Sequence, residues 1–140
     1  MRTVRTRWTA AAGVVTALIS ATVLSSASAA QGATPEGLCG TGFGVVNSQA
    51  LPNGAGTVYL LYNNGSGENC AVTLRSGSGG AVYMDVGLRH AGDSSTATWD
   101  HGSFAQYAGP VYLQAAGICV DWSGAIGDRS ITVRETNCGA

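Results

Sequence analysis

Beyond residue 40 the chain alternates apolar and polar positions with a period of two, in short runs separated by glycine-rich breaks. Val82, Met84, Val86 and Leu88 fall on one side of such a run, and Tyr83, Asp85 and Arg89 on the other. Ile131 and Val133 alternate in the same way with Thr132 and Arg134. Successive side chains of a strand point to opposite faces of a sheet, so each run predicts a half-buried strand. In the run 69–75 the pattern puts Cys70, Val72 and Leu74 inward and Asn69, Thr73 and Arg75 outward. Val58-Tyr59-Leu60-Leu61-Tyr62 is apolar on both sides, as a central strand should be. After residue 30 no ten-residue stretch has a helical period.

The breaks have turn chemistry. Asn53-Gly54 and Asn64-Gly65 pair two residues that tolerate positive φ. Residues 77–80, Ala91-Gly92-Asp93, His101-Gly102, Gly109-Pro110 and residues 124–127 mark further interruptions. Strands are therefore predicted at 43–50, 57–63, 69–75, 81–89, 95–100, 103–107, 111–116, 118–122 and 129–136, eight or nine in all. Short strands at this spacing indicate an all-β protein, an antiparallel β-sandwich or a small barrel. No internal repeat is visible, which argues against a trefoil or propeller.

Composition adds a compartment. Arg2, Arg5 and Arg7 precede an uncharged stretch, Ala10 to Leu24, and Ala27-Ser28-Ala29 fits the small-x-small rule for signal peptidase. The uncharged stretch is about 15 residues, short of the roughly 20 that a spanning helix needs. Residues 1–29 are thus expected to be a cleaved export signal, residues 30–37 a flexible lead-in and residues 38–140 one domain. Of the 21 glycines, 20 lie beyond residue 29, well above the average usage of about 7%.

Cys39, Cys70, Cys119 and Cys138 all lie in the exported part. An even number of cysteines outside the cell reads as two disulfides. Their separations of 31, 49 and 19 residues lack the close pairs of a structural zinc site. Four cysteines allow three pairings, and the sequence does not choose among them. Cys39–Cys70 with Cys119–Cys138 is the expected one, since each bridge would then tie one end of the domain.

Charge excludes several partners. Only Arg75, Arg89, Arg129 and Arg134 follow the N-terminal segment, against eight acids, and there is no lysine. A domain of this charge lacks the basic footprint of a nucleic-acid binder and the polybasic patch that holds a protein to anionic membranes. Neither partner is expected after cleavage, and no cofactor is implied.

Local motifs are weak. Gly92-Asp93-Ser94 resembles a hydrolase nucleophile triplet but reads as a turn. Asp100-His101-Gly102-Ser103 holds the residue types of a triad, yet strand neighbours point apart, so the tetrapeptide cannot form one alone. His101 with Asp93 or Asp100 is the remaining hydrolase candidate. Asp121 and Asp128 flank a glycine loop without the spacing of a calcium loop. Gly40-Thr41-Gly42 precedes a strand, whereas a dinucleotide loop must open a helix. Among the aromatic residues, Tyr83, Trp99 and Trp122 are the candidate ligand-facing ones.

Four stretches carry a resemblance: residues 37–43 (GLCGTGF), 58–64 (VYLLYNN), 69–73 (NCAVT) and 107–124 (YAGPVYLQAAGICVDWSG). Together they are similar to the spore-associated protein A family, small secreted proteins of sporulating filamentous bacteria. The resemblance implies secretion and association with a spore or cell surface, and brings no catalytic residue with it. It also implies a further cysteine pair near Tyr83 and Trp99, where an aromatic contact would stand in this chain. The expected function is a non-enzymatic surface protein with spore or cell-wall partners. A binding module for a cell-wall glycan or small apolar ligand is the first alternative.

Overall fold

Among the described residues, turn glycines and the two-residue period produce eight strands, with one short α-helix ahead of them. The computed structural model describes residues 32–139, so the expected export signal lies outside the described residues. Helix α1 spans Pro35–Cys39 and is followed by β1 (Gly44–Ala50), β2 (Gly56–Asn63), β3 (Glu68–Arg75) and β4 (Val82–His90). Then come β5 (Thr98–Phe104), β6 (Tyr107–Gln114), β7 (Val120–Ile126) and β8 (Arg129–Thr136). They form two antiparallel four-stranded sheets, in the order β1-β2-β3-β6 and β5-β4-β7-β8. The sheets pack face to face as a sandwich, and no closed barrel forms. The core between them contains Val58, Leu60 and Ala71 from the first sheet and Met84, Val86, Leu88 and Trp122 from the second.

Several sequence expectations change, and β6 runs through the expected Gly109-Pro110 break. Strands at 95–100 and 103–107 are one strand, β5, because His101-Gly102 continues the ladder opposite Met84 and Asp85. The break expected at residues 124–127 shrinks to the turn after Ile126, since Gly124 pairs with Val86 inside β7. Residues 35–37, assigned to the lead-in, belong to α1, whose first turn Thr34 caps by accepting from Gly37 N at 3.1 Å.

The faces of β3 are also inverted relative to the sequence pattern. Ala71 joins the main core between the sheets, and Asn69 and Thr73 are fully buried. Cys70 and Val72 point to the opposite face of the sheet, where they form a second cluster with Cys39 and Leu61. That face is covered because the Cys39–Cys70 bridge holds α1 on it. Tyr112 reinforces the cover, donating its hydroxyl to Cys39 O at 2.9 Å and packing its ring 5.6 Å from Phe43. The second bridge, Cys119–Cys138, ties the C-terminus to the entry of β7. The pairing is the expected one.

Gly124 lets the sheets approach. A methyl group there would collide with the Thr73 hydroxyl and with Val58 Cγ2, both from the opposite sheet. Both residues are fully buried. Gly124→Ala should cost about 1–3 kcal/mol through overpacking and lower the melting temperature. Gly80→Ala, where a methyl meets nothing within 4 Å, should leave it unchanged. Equal melting of the two variants would contradict this account.

Candidate functional site

The outward face of the second sheet carries the most exposed large aromatic side chain described. Register aligns Trp99 of β5, Gly87 of β4, Ser123 of β7 and Thr132 of β8 in one row across all four strands. Because Gly87 has no side chain, Trp99 can lie over the backbone of β4. A methyl at Gly87 would sit 2.6 Å from Cζ3 and 2.7 Å from Cε3 of the indole, and 2.9 Å from Ser123 Oγ. The six-membered ring is thus seated on β4 while Trp99 remains 58% exposed. Beside it lies a depression of about 150 Å³, bordered by Trp99, Ser123, Thr132, Arg89 and Arg134.

Asp121 fixes the charged end of this depression. It stands opposite Arg89 in the β4–β7 pair and is 4% exposed. Its Oδ2 accepts from Arg89 Nε at 3.0 Å and from Gly92 N at 3.2 Å, and lies 2.9 Å from Arg89 Nη2. Arg134 Nη1 approaches the same oxygen at 3.6 Å. The other oxygen accepts from Glu135 N at 3.0 Å. Burial pushes the Asp121 carboxyl up, but the N–H groups of Glu135 and Gly92 and the Arg89 guanidinium outweigh it and hold it below the usual carboxylate range. With its oxygens engaged, Asp121 has little capacity left for a ligand. The free hydrogen-bonding capacity around the depression is that of two guanidinium groups and two hydroxyls.

Of the three candidate aromatics, the structure brings Trp99 alone to an open surface at the depression. Trp122 borders it but is 1% exposed, with its indole N–H donating to Thr136 Oγ1 at 2.8 Å. It alternates with Asp121 and so points into the core, which removes it as a ligand-facing residue. Tyr83 is exposed on the same outer face, four residues along β4 from Gly87, hence about 14 Å away. Its hydroxyl donates to Asp85 Oδ2 at 2.9 Å, and that bond together with the Asp85 charge raises its pKa. Tyr83 faces Ser103 and Trp99 faces Gly87, so the aromatic contact implied by the resemblance is not formed.

The remaining motifs are structural. Asp93 accepts from Ser95 N at 2.9 Å and Ser95 Oγ at 2.6 Å, capping a 3-10 turn at Ser94–Thr96, and these bonds lower its pKa. Asp100 points inward and accepts from Gly109 N at 2.7 Å, whereas His101 is exposed on the other face opposite Asp85. His90, at the far end of β4, lies 2.8 Å through Nε2 from Gln114 O. His101, Asp93 and Asp100 are therefore not brought together. Asp121 and Asp128 stand at opposite ends of β7, and Asp128 pairs with Arg129 at 3.1 Å. Among the described residues no three His, Cys, Asp or Glu side chains converge as metal ligands. Asn63, beside the Asn64-Gly65 turn, accepts from Gly65 N at 2.9 Å.

The fold and this surface define a small two-bridge β-sandwich with an open aromatic and cationic depression on one sheet. Over 123 residues, 88% of its length, the chain is 42% identical to Spore-associated protein A of Streptomyces coelicolor, of which the match covers 79%. The chain belongs to the spore-associated protein A family. No protein-family model and no solved structure matches it.

Proposed function

We propose that the protein is a secreted, non-enzymatic component of the spore or cell surface. The observation that carries this reading is the use of all four cysteines in two bridges, in a chain whose relative is spore-associated by name. Such bridges persist in oxidising compartments and are rare in the cytosol. The export pattern in residues 1–29 agrees with that compartment. The absence of lysine and the acidic balance of the domain favour a surface contact made through neutral or donor-rich groups over a broad electrostatic patch.

Immunolocalisation with mass analysis of the intact protein tests the reading. The expected result is an oxidised chain beginning near Ala30, recovered with spores or envelope. Recovery from spent medium alone, or a reduced cytosolic form retaining Met1, would overturn it.

A further inference from the structure

We propose that the depression beside Trp99 binds an acidic saccharide, one sugar ring of a longer glycan stacking on the indole and its carboxylate meeting Arg134 and Arg89. The inference takes from the surface-protein reading only where such a polymer would be met. The site itself rests on geometry.

The indole is exposed yet held in place. It is seated over Gly87, where no side chain separates it from the β4 backbone, and more than half of the residue remains open to solvent. A sugar ring presents C–H groups on one face and polar groups around its edge. It therefore suits an aromatic plate flanked by fixed hydrogen-bonding groups. Here those groups are Ser123 and Thr132, in the same cross-strand row as Trp99. The depression, at about 150 Å³, is smaller than the roughly 300–1,000 Å³ of pockets that enclose a whole small molecule. It suits one ring of a chain that continues across the open sheet. An isolated apolar ligand is a poorer match, because the rim is polar and the depression does not close over it.

The chemistry of the rim selects an acid. Arg89 is anchored on Asp121, with Arg134 beside it, while both oxygens of Asp121 are engaged by Gly92, Glu135 and Arg89. Among the side chains that line the depression, two guanidinium groups meet one carboxylate, and Asp93, near enough to Arg89 to feel its charge, stands outside that lining. Donors outnumber free acceptors, so the complementary ligand brings acceptors and negative charge. A sugar carboxylate supplies both, and arginine can take it in a bidentate geometry. Arg134, whose side chain is 62% exposed, has donors to spare.

The test titrates the secreted protein with oligomers of galacturonate, hyaluronate and alginate, following tryptophan fluorescence and heat. Methyl-esterified oligogalacturonate serves as the uncharged comparator. At least one acidic oligomer should bind. Trp99→Ala should weaken that binding about tenfold or more. Arg134→Gln should weaken the acid several-fold and leave the ester unchanged, and raised salt should mimic it. Both side chains are largely exposed, so unchanged melting curves would show that the variants fold. Absence of binding by all three acidic oligomers overturns the proposal. So does wild-type affinity in Trp99→Ala, or equal affinity for acid and ester. Acetate binding as tightly as the oligomers would also sink it, by reducing the site to an anion contact. None of these outcomes bears on whether the protein reaches the spore or envelope, which localisation decides separately.

Discussion

Removing both disulfides is expected to cost the domain most of its stability. In the loop-entropy account, bridges closing 31 and 19 residues each stabilise by roughly 3–4 kcal/mol. The total for a small domain is about 5–15 kcal/mol, so losing both, about 6–8 kcal/mol, exceeds the lower end of that range. The two bridges differ in surroundings. Cys70 is fully buried and Cys39 nearly so, and their bond holds α1 over Leu61 and Val72. Cys138 is exposed at the C-terminus. Cys39→Ala with Cys70→Ala should therefore lower the melting temperature more than Cys119→Ala with Cys138→Ala. With about 4–8 °C per kcal/mol for a domain near this size, each pair of substitutions should shift it by roughly 15–25 °C. Calorimetry of the two double variants checks the ranking and the magnitude. Shifts of only a few degrees would show that the sheets hold without the bridges, and the reverse order would contradict the ranking.

The strands were legible because turn chemistry and the two-residue period agree along most of the chain. Where they failed, a residue type was serving a second purpose. Gly124 looked like a turn, but it makes room for Thr73 and Val58 of the opposite sheet. Pro110 looked like a break, yet β6 is an edge strand, where a missing N–H costs no ladder bond to a further neighbour. The faces of β3 were misread because both are buried. Cysteine and valine occupy the side under α1, while Asn69 and Thr73 fill the interior. A polar residue inside a sandwich has no signature in a binary pattern when its partner is remote. Asn69 accepts from Asn137, 68 residues away.

The candidate site was less legible than the fold. Trp99 is one of three aromatics that the sequence offers as ligand-facing, and it lies exposed on the outer face of the sheet. Alternation gave no hint of Arg89, Ser123, Thr132 or Arg134 as its neighbours. Those contacts depend on β4 pairing with β7, a non-consecutive neighbour, and on the register that sets Gly87 opposite Trp99. In the sequence Asp121 shows only a glycine loop beside it, without the spacing of a calcium loop. Its actual partners come from β4, the turn after it and β8, none of which its local sequence reveals.

Asp121 carries the second large prediction. Asp121→Ala should cost about 2–4 kcal/mol at neutral pH. The ion pair alone cannot supply this, because Arg89 is partly open to water and Arg134 largely so, and pairs of that kind are worth about 1 kcal/mol or less. The larger part comes from Gly92 and Glu135, whose N–H groups would lose their acceptor at a part-buried position. The pH dependence separates this from a simple packing defect. The Asp121 carboxyl has a lowered pKa in the folded protein, so its contribution is complete above the unfolded value of about 3.9 and is lost as pH falls through the folded value. In that window the unfolded chain binds the proton more readily, and stability rises with pH. Urea unfolding of the wild type and Asp121→Ala should therefore differ by a constant amount above about pH 5 and converge below about pH 4. A gap that persists undiminished to pH 2.5 would mean that the lost side-chain volume, and not the carboxylate, is what the fold requires.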